Sequence, residues 1–262
     1  VRLATFNLLH GRSLRDGTVD AGRLADAVTT LDADILGLQE VDRAQARSHH
    51  LDLTALAADA MGAAHHRFAA AVVGTPGEGF RALTHDDDGA DEPNYGIGLV
   101  SRWPVRQWRI VRLPAAPVRA PILTPRPVLV RDEPRVLLAA IVEPPWGGTL
   151  TVATTHLSFV PGWNLVQLRT AIRALRAMPA PRLLTGDLNL PAAVAGRISR
   201  WRILARAATY PSPAPQLQLD HVLLDPRGAG GFGTVLVADT PQVPVSDHRP
   251  LVVTLASPVQ QV

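Results

Sequence analysis

Apolar and polar positions change their period repeatedly along the chain. Residues 2–8 alternate as a strand does, and behind Asp20, a residue able to cap a helix, Leu24, Val28 and Leu31 recur at helical spacing. Residues 35–38 form a short apolar run that predicts a buried strand. Leu53, Leu56, Ala57, Ala60 and Met61 predict a second amphipathic helix, followed by a strand over 68–73. A Gly- and Asp-rich stretch, 75–94, reads as a loop. Strands are then predicted at 97–101, 105–113, 128–130, 136–142 and 150–154, with prolines punctuating them. Leu165, Leu168, Ile172 and Leu175 form a helical stripe, with Arg169, Arg173 and Arg176 on other faces, and Pro179 and Pro181 end that helix ahead of a strand at 182–184. Strands at 217–224, 234–237 and 251–255 close the pattern. So many strands, with helices in two separated groups, predict two packed sheets with helices on their outer faces.

Composition narrows the picture. Across 262 residues, 47% are hydrophobic and 19% charged, enough apolar surface for a full core and for one domain over 1–262. The longest apolar run, 136–142, is far short of a membrane span, and no basic-then-apolar leader opens the sequence at Val1. The expectation is a soluble, cytoplasmic protein without stable membrane insertion and with no protein partner evident. Cysteine is absent, which excludes disulfides, thiolate nucleophiles and sulfur-ligated zinc, so metal chemistry must use oxygen or imidazole. All 26 basic residues are arginine, so a pI near 10.4 reflects guanidinium basicity more than charge excess, the formal net charge being only +3. That favours an anionic partner slightly, well short of a surface that binds nucleic acid by charge alone.

Candidate chemistry gathers where apolar runs stop. Asn7, Glu40, His156, Asp187 and Asn189 follow such runs, Asp220 interrupts one, and Asp247-His248 precedes the last. Acid, amide and imidazole groups at sheet ends are what a hard cation and a phosphate require. Taken in order, Asn7, Leu38-Gln39-Glu40, Tyr95, Thr155-His156-Leu157, Gly186-Asp187-Leu188-Asn189, Leu219-Asp220-His221 and Ser246-Asp247-His248 resemble the endonuclease/exonuclease/phosphatase superfamily of metal-dependent phosphoesterases, small bacterial members in particular. The resemblance runs over nearly the whole chain.

It implies a four-layer α/β/β/α sandwich, two mostly antiparallel sheets between helical layers. It also implies roles. Glu40, helped by Asn7 and Asp247, would hold Mg²⁺ or Mn²⁺; Asp187 would orient or deprotonate the attacking water, steadied by Asn189. His248 would contact a phosphoryl oxygen with Asp220 fixing its ring, and His156 and Tyr95 would add donors. Tyr95 could equally be a loop aromatic resting on the core. The leading substrate is nucleic acid, DNA or RNA, with a small-molecule or lipid phosphoester as the alternative; a non-catalytic binding module on the same fold is the weaker reading. Arg43, Arg47, Phe159 and Trp163 are candidate substrate contacts, as are Trp201 with Arg197, Arg200, Arg202 and Arg206, although all could be surface and core.

Other signals are set aside. Gly228 to Gly233 matches G-x-G-x-x-G but leads into β-branched residues, so phosphates would find no helix N-terminus. The pairs His49-His50 and His65-His66 point their rings apart, and Asp86-Asp87-Asp88 with Asp91 and Glu92 reads as an acidic loop that would repel a polyanion beside Tyr95. Ser246-Asp247-His248 is no hydrolase triad, because consecutive residues cannot make the relay.

Overall fold

The computed structural model describes residues 1–83, 92–122, 128–230 and 232–257; Asp86, Asp87, Asp88 and Asp91 lie outside the described residues. In chain order the strands are β1 (Arg2–Asn7), β2 (Ile35–Arg43), β3 (His65–Thr75), β4 (Gly79–Ala82), β5 (Asn94–Ser101), β6 (Val105–Leu113), β7 (Arg119–Ile122), β8 (Val128–Arg131), β9 (Arg135–Val142), β10 (Leu150–His156), β11 (Arg182–Asp187), β12 (Arg202–Ile203), β13 (Asp220–Leu224), β14 (Val235–Asp239) and β15 (Leu251–Leu255). The helices are α1 (Ala21–Leu31), α2 (Leu53–Met61), α3 (Trp163–Arg176) and α4 (Ala192–Ser199).

Two sheets stack face to face, ordered β14-β15-β1-β2-β5-β3-β4 and β12-β13-β11-β10-β9-β6, with β7-β8 as a separate hairpin. Pairing is antiparallel except for β1 with β2 and β10 with β11. Each parallel pair needs a crossover, and α1 and α3 supply them. Between the sheets lie Leu3, Ile35, Leu99, Leu138, Val152, Leu183, Val222 and Val253. On the outer face of the first sheet, Leu24, Val28 and Leu31 of α1 and Ala57 and Met61 of α2 pack on Phe6, Leu36 and Leu38. Leu168, Ile172 and Leu175 of α3 and Ala195 of α4 cover Leu137, Ala153 and Leu184 on the second. Burying each large aliphatic side chain stabilises the sandwich by roughly 1.5–3 kcal/mol.

Local chemistry explains the helices. Asp20 accepts from the Arg23 N–H at 2.8 Å, and Asp52 accepts from Thr54 and Ala55, so both helices over the first sheet are capped by aspartate. Several edges differ from the sequence expectation. Strand β2 continues to Arg43 through a bulge between Leu38 and Val41, so Glu40 sits inside a strand rather than at its end. Tyr95 lies in β5 opposite Asp42, not in a loop. The stretch read as a 75–94 loop contains β4, and the strand expected at 217–224 is ordered as β13 from Asp220 only, Leu217 making an isolated bridge to Tyr210. The G-x-G-x-x-G match leads into strand β14, as expected.

The sheets are tied together by polar groups as well. Gln39 donates from Nε2 to Thr154 Oγ1 at 2.8 Å and to Thr5 Oγ1 at 3.1 Å, a fully buried link from one sheet to the other. Beside it, Gly37 faces Thr154 and Thr185 so closely that an added Cβ would lie 2.5 Å from Thr185 Oγ1.

Candidate active site

One rim of the sandwich collects the chain ends that matter. Strands β1 and β2 run parallel, and so do β10 and β11; Asn7 pairs with Gln39 in one sheet and His156 with Asp187 in the other. Strand β13 runs the other way, so its first residue, Asp220, sits opposite Asp187. The ends of β1, β10 and β11, the bulged stretch of β2 and the beginning of β13 therefore face a common space.

Asn7 spans the two sheets. Its Nδ2 donates to Glu40 Oε1 and to Asp187 Oδ2, both at 3.1 Å, while Oδ1 accepts from the Leu9 N–H. Glu40 reaches the rim because the bulge places it at φ 52°, a strained conformation for a non-glycine residue that costs about 1–3 kcal/mol. Burial pushes the Glu40 carboxyl up to about 7, opposed by the Asn7 hydrogen bond and reinforced by the charge of Asp247. Glu40 makes no ion pair among the described residues, and the charge of His248 favours its carboxylate form against that of Asp247.

The opposite wall sets one imidazole among carboxylates. His248 Nδ1 lies 2.8 Å from Asp220 Oδ2, and its Nε2 lies 3.8 Å from Asp187 Oδ2. Burial works against its proton, but the charge and hydrogen bond of Asp220, with the charges of Asp187 and Asp247, outweigh it and push His248 up to about 10. The ring is an imidazolium. Burial raises Asp187 to about 6 against the pull of His248. Asp187 Oδ1 accepts the Asn189 N–H at 2.9 Å, Asn189 standing at φ 49° just past the strand. Ser246 ties the wall to the floor: its Oγ donates to the Asn7 carbonyl at 2.6 Å and accepts the His248 N–H at 3.0 Å.

His156 behaves differently. A guanidinium can only donate, so Arg135 at 2.9 Å makes Nδ1 the acceptor and leaves the ring proton on Nε2. Burial, then the charges of Arg135 and His248, hold its pKa well below the usual value. The ring is neutral, its Nε2–H facing Asp187 Oδ2 at 3.5 Å. Arg135 is itself buried and paired with Glu133 at 3.0 Å.

Asp187, Asp220 and His248 offer ligand atoms within 4.8 Å of one another, a buried cluster that could hold a metal. A cation between Asp220 and His248 would have to displace their hydrogen bond. The oxygens of Glu40 and Asp247 suit a hard divalent ion, which would share Glu40 and the Asn7 amide with the hydrogen bond that already joins them.

The structure thus brings Asn7, Glu40, His156, Asp187, Asn189, Asp220 and His248 to one rim. Tyr95 is buried beneath it, its phenol pushed well up by burial and then by Glu40 and Glu133. The candidate substrate residues scatter. Arg47 holds Asp42 through two bonds of 2.8 and 2.7 Å and lies 5.6 Å over the Tyr95 ring, while Arg43 sits 4.8 Å over Phe68. Phe159 and Trp163 pack with Ala116 and Val160, and the Trp163 indole donates to the Pro114 carbonyl. Trp201 is a core residue beneath α3 and α4, and Arg202 pairs with Leu224 at the far end of β13. Sequence reasoning missed Arg135, Glu133 and Tyr210, whose ring lies 4.9 Å from that of His248. Arg135, a charge opening the apolar 136–142 run, was the available signal.

The sequence profile of the Endonuclease/Exonuclease/phosphatase family matches residues 4–248. The chain belongs to this family. Like its members, it is a phosphoester-hydrolysing enzyme. A solved structure described as an endonuclease/exonuclease/phosphatase from Beutenbergia cavernae shares 24% identity at a TM-score of 0.70, over 97% of this chain and 71% of that one. A mannosyl-6-phosphatase of Bacteroides thetaiotaomicron (16%, 0.62, 98% and 100%) and the human Nocturnin catalytic domain with bound sulfate (18%, 0.62, 98% and 94%) have the same fold. No curated protein matches the sequence. Among the described residues no helix is long and apolar enough to cross a membrane.

Proposed function

We propose that this family member is a Mg²⁺- or Mn²⁺-dependent phosphodiester hydrolase, formed as one domain over 1–262, with nucleic acid as its leading substrate. The observation that carries the reading is the Asn7 amide held between Glu40 and Asp187, with the His248–Asp220 pair behind them. Glu40 would hold the ion together with Asn7 and Asp247. When bound, the ion supplies Lewis-acid polarisation of a phosphoryl oxygen and neutralises charge.

The remaining roles fall to the side chains. Asp187, with its proton affinity raised toward neutrality, takes the proton of the attacking water, and the Asn189 N–H fixes the carboxylate rotamer. His248 donates Nε2–H to a phosphoryl oxygen as an imidazolium, Asp220 keeping it charged. Neutral His156 donates its own Nε2–H to a second oxygen, and Tyr95 remains a protonated phenol below them. Donors fixed before the reaction stabilise charge as it develops, in a site where water does not dilute them. Water forms the new P–O bond as the bond to the leaving group breaks in one in-line displacement, so no covalent enzyme intermediate is required.

Nucleic acid leads because Arg43, His66, Arg67 and Arg112 outnumber the single carboxylate, Asp52, in a groove of about 380 Å³ around Phe68, and Arg43 follows Glu40 by three residues. A basic groove with an aromatic floor suits a strand. The second reading, a small phosphoester, is favoured by the internal engagement of Arg47, Trp163 and Trp201, and it matches what the Bacteroides neighbour is named for. A panel of plasmid, single strands, a simple phosphodiester, phosphomonoesters and lipid head groups, each with Mg²⁺, Mn²⁺ or chelator, tests the proposal. Asp187→Asn should abolish turnover on whichever substrate is cut while leaving the fold intact; undiminished turnover overturns the assignment. Binding to DNA should fall steeply with salt, whereas a small phosphoester should respond little.

A further inference from the structure

A second concentration of positive charge lies away from the rim, between the C-terminal halves of α3 and α4. A hollow of about 240 Å³ is lined by Arg169, Arg173, Arg176, Arg200 and Arg227, over a floor that includes Ile172 and Ile198. No carboxylate lines it. Asp225, in the adjoining hollow, is committed: Oδ2 to Arg182 at 3.0 Å and Oδ1 to the Arg227 N–H.

Two explanations from folding alone fall short. Helix C-termini attract cations, and Arg176 does donate to the Ser199 carbonyl at 3.4 Å. Each helix end, however, carries about half a negative charge, so two ends leave roughly four of the five guanidinium charges uncompensated. The side chains of Arg169, Arg173, Arg200 and Arg227 make no hydrogen bond or ion pair among the described residues, and all four are exposed. Intrahelical pairing does not account for them either. Arg169 and Arg173 stand at i and i+4 and Arg173 and Arg176 at i and i+3, spacings at which like charges destabilise a helix. The chain as a whole carries only +3, so four unpaired arginines beside a fifth around one hollow are a local asymmetry rather than a general surface property.

We infer that this hollow is a second anion site, taking a phosphoryl group that bears two or more negative charges. Planar guanidinium forks from two helices and the turn after β13 can each offer paired N–H donors to phosphate oxygens, and the aliphatic floor excludes water from one side. The hollow lies farther along α3 than the catalytic rim. Asn164, whose amide reaches the Asn189 carbonyl at the rim, precedes Arg169 by five residues and Arg176 by twelve, about 8 and 18 Å along the helix.

Inorganic pyrophosphate is the probe, titrated calorimetrically into the full chain with chelator present and Asp187→Asn in the background, so that turnover contributes nothing. One saturable site is expected, weakened at least tenfold by Arg173→Gln with Arg227→Gln, two exposed positions outside the catalytic set. The same pair of substitutions in the active chain should leave turnover of a simple phosphodiester within twofold. A second arm measures sedimentation with vesicles of phosphatidylglycerol or of phosphatidylcholine. Retention by the anionic vesicles that the double variant loses identifies a lipid headgroup as the source of the phosphate; pyrophosphate binding without vesicle retention identifies a free anion. Equal pyrophosphate affinity in parent and double variant overturns the inference, as does binding that never saturates. Either result leaves the reading of the catalytic rim untouched, because that reading is tested by turnover.

Discussion

Replacing Gly37 by alanine should push the two sheets apart at the point where the site is assembled. The new Cβ would stand 2.5 Å from Thr185 Oγ1, 2.7 Å from Thr154 Oγ1 and 2.9 Å from Thr154 Cβ, against an ordinary contact near 3.5–4 Å. Rotating both hydroxyls away does not relieve the last of these, because Cβ moves only with the strand. Overpacking of this kind costs about 1–3 kcal/mol. Displacing Thr154 Oγ1 also breaks its bond from Gln39, and displacing Thr185 breaks its bond to the Ala153 carbonyl, each worth about 1 kcal/mol. The total is about 3–5 kcal/mol, a shift of roughly 1–2 M in the urea midpoint for a slope near 3 kcal/mol per M. Turnover should fall more than stability suggests, since Asn7 on one sheet must reach Asp187 on the other at 3.1 Å. Adding Thr185→Ala removes the closest contact and should recover part of both losses. A midpoint within 0.2 M of the parent, or a double variant no better than Gly37→Ala alone, would refute the sheet-spacing argument.

Other consequences can be checked independently. Arg135→Met should destabilise by about 3–5 kcal/mol, because Glu133 and His156 lose a buried partner, and Arg135→Lys should recover stability better than activity, as a lysine cannot serve both; urea melts alongside turnover decide this. His10 is pushed down to about 4 by burial, then by Arg47, with Asp42 opposing. Its folded value lies below the unfolded one near 6.5, so the unfolded chain takes up the proton first and stability is lost as pH falls from about 6.5 toward 4; His10→Asn, which tolerates φ 48°, should flatten the urea midpoint across that window. Saturating Mg²⁺ or Mn²⁺ at about 100 times Kd should stabilise the parent by about 2.7 kcal/mol, and Glu40→Gln should abolish most of that thermal shift while remaining folded.

Helices α1, α2 and α3 were legible because an aspartate or a proline marks their ends and a regular apolar stripe runs between. Helix α4 was not: eight residues with Gly196 inside give barely two turns of periodicity. The polar set from Asn7 to His248 could be read because strand ends interrupt apolar runs with groups that have no place in a core. What could not be read is how those groups answer each other. The bulge at Glu40 depends on the register of β2 against β5, and the tautomer of His156 depends on Arg135, twenty-one positions earlier and on a neighbouring strand. Trp201 looked like part of an arginine-rich surface because neighbouring arginines are exposed while its own ring turns inward.

The two parallel pairs divide the labour evenly between halves of the chain. The β1-α1-β2 unit delivers Asn7 from a strand tip and Glu40 from the bulge within β2, and the β10-α3-β11 unit delivers His156 and Asp187 from the tips of its strands. Neither unit possesses a complete reaction centre. A fragment ending before β6 keeps Glu40, the proposed ligand, and lacks Asp187, the proposed base; one beginning there keeps Asp187 and lacks Glu40. The proposed site therefore needs both fragments, and their complementation would report on the packing of the inner faces together with the pairing of β1 from one with β15 from the other.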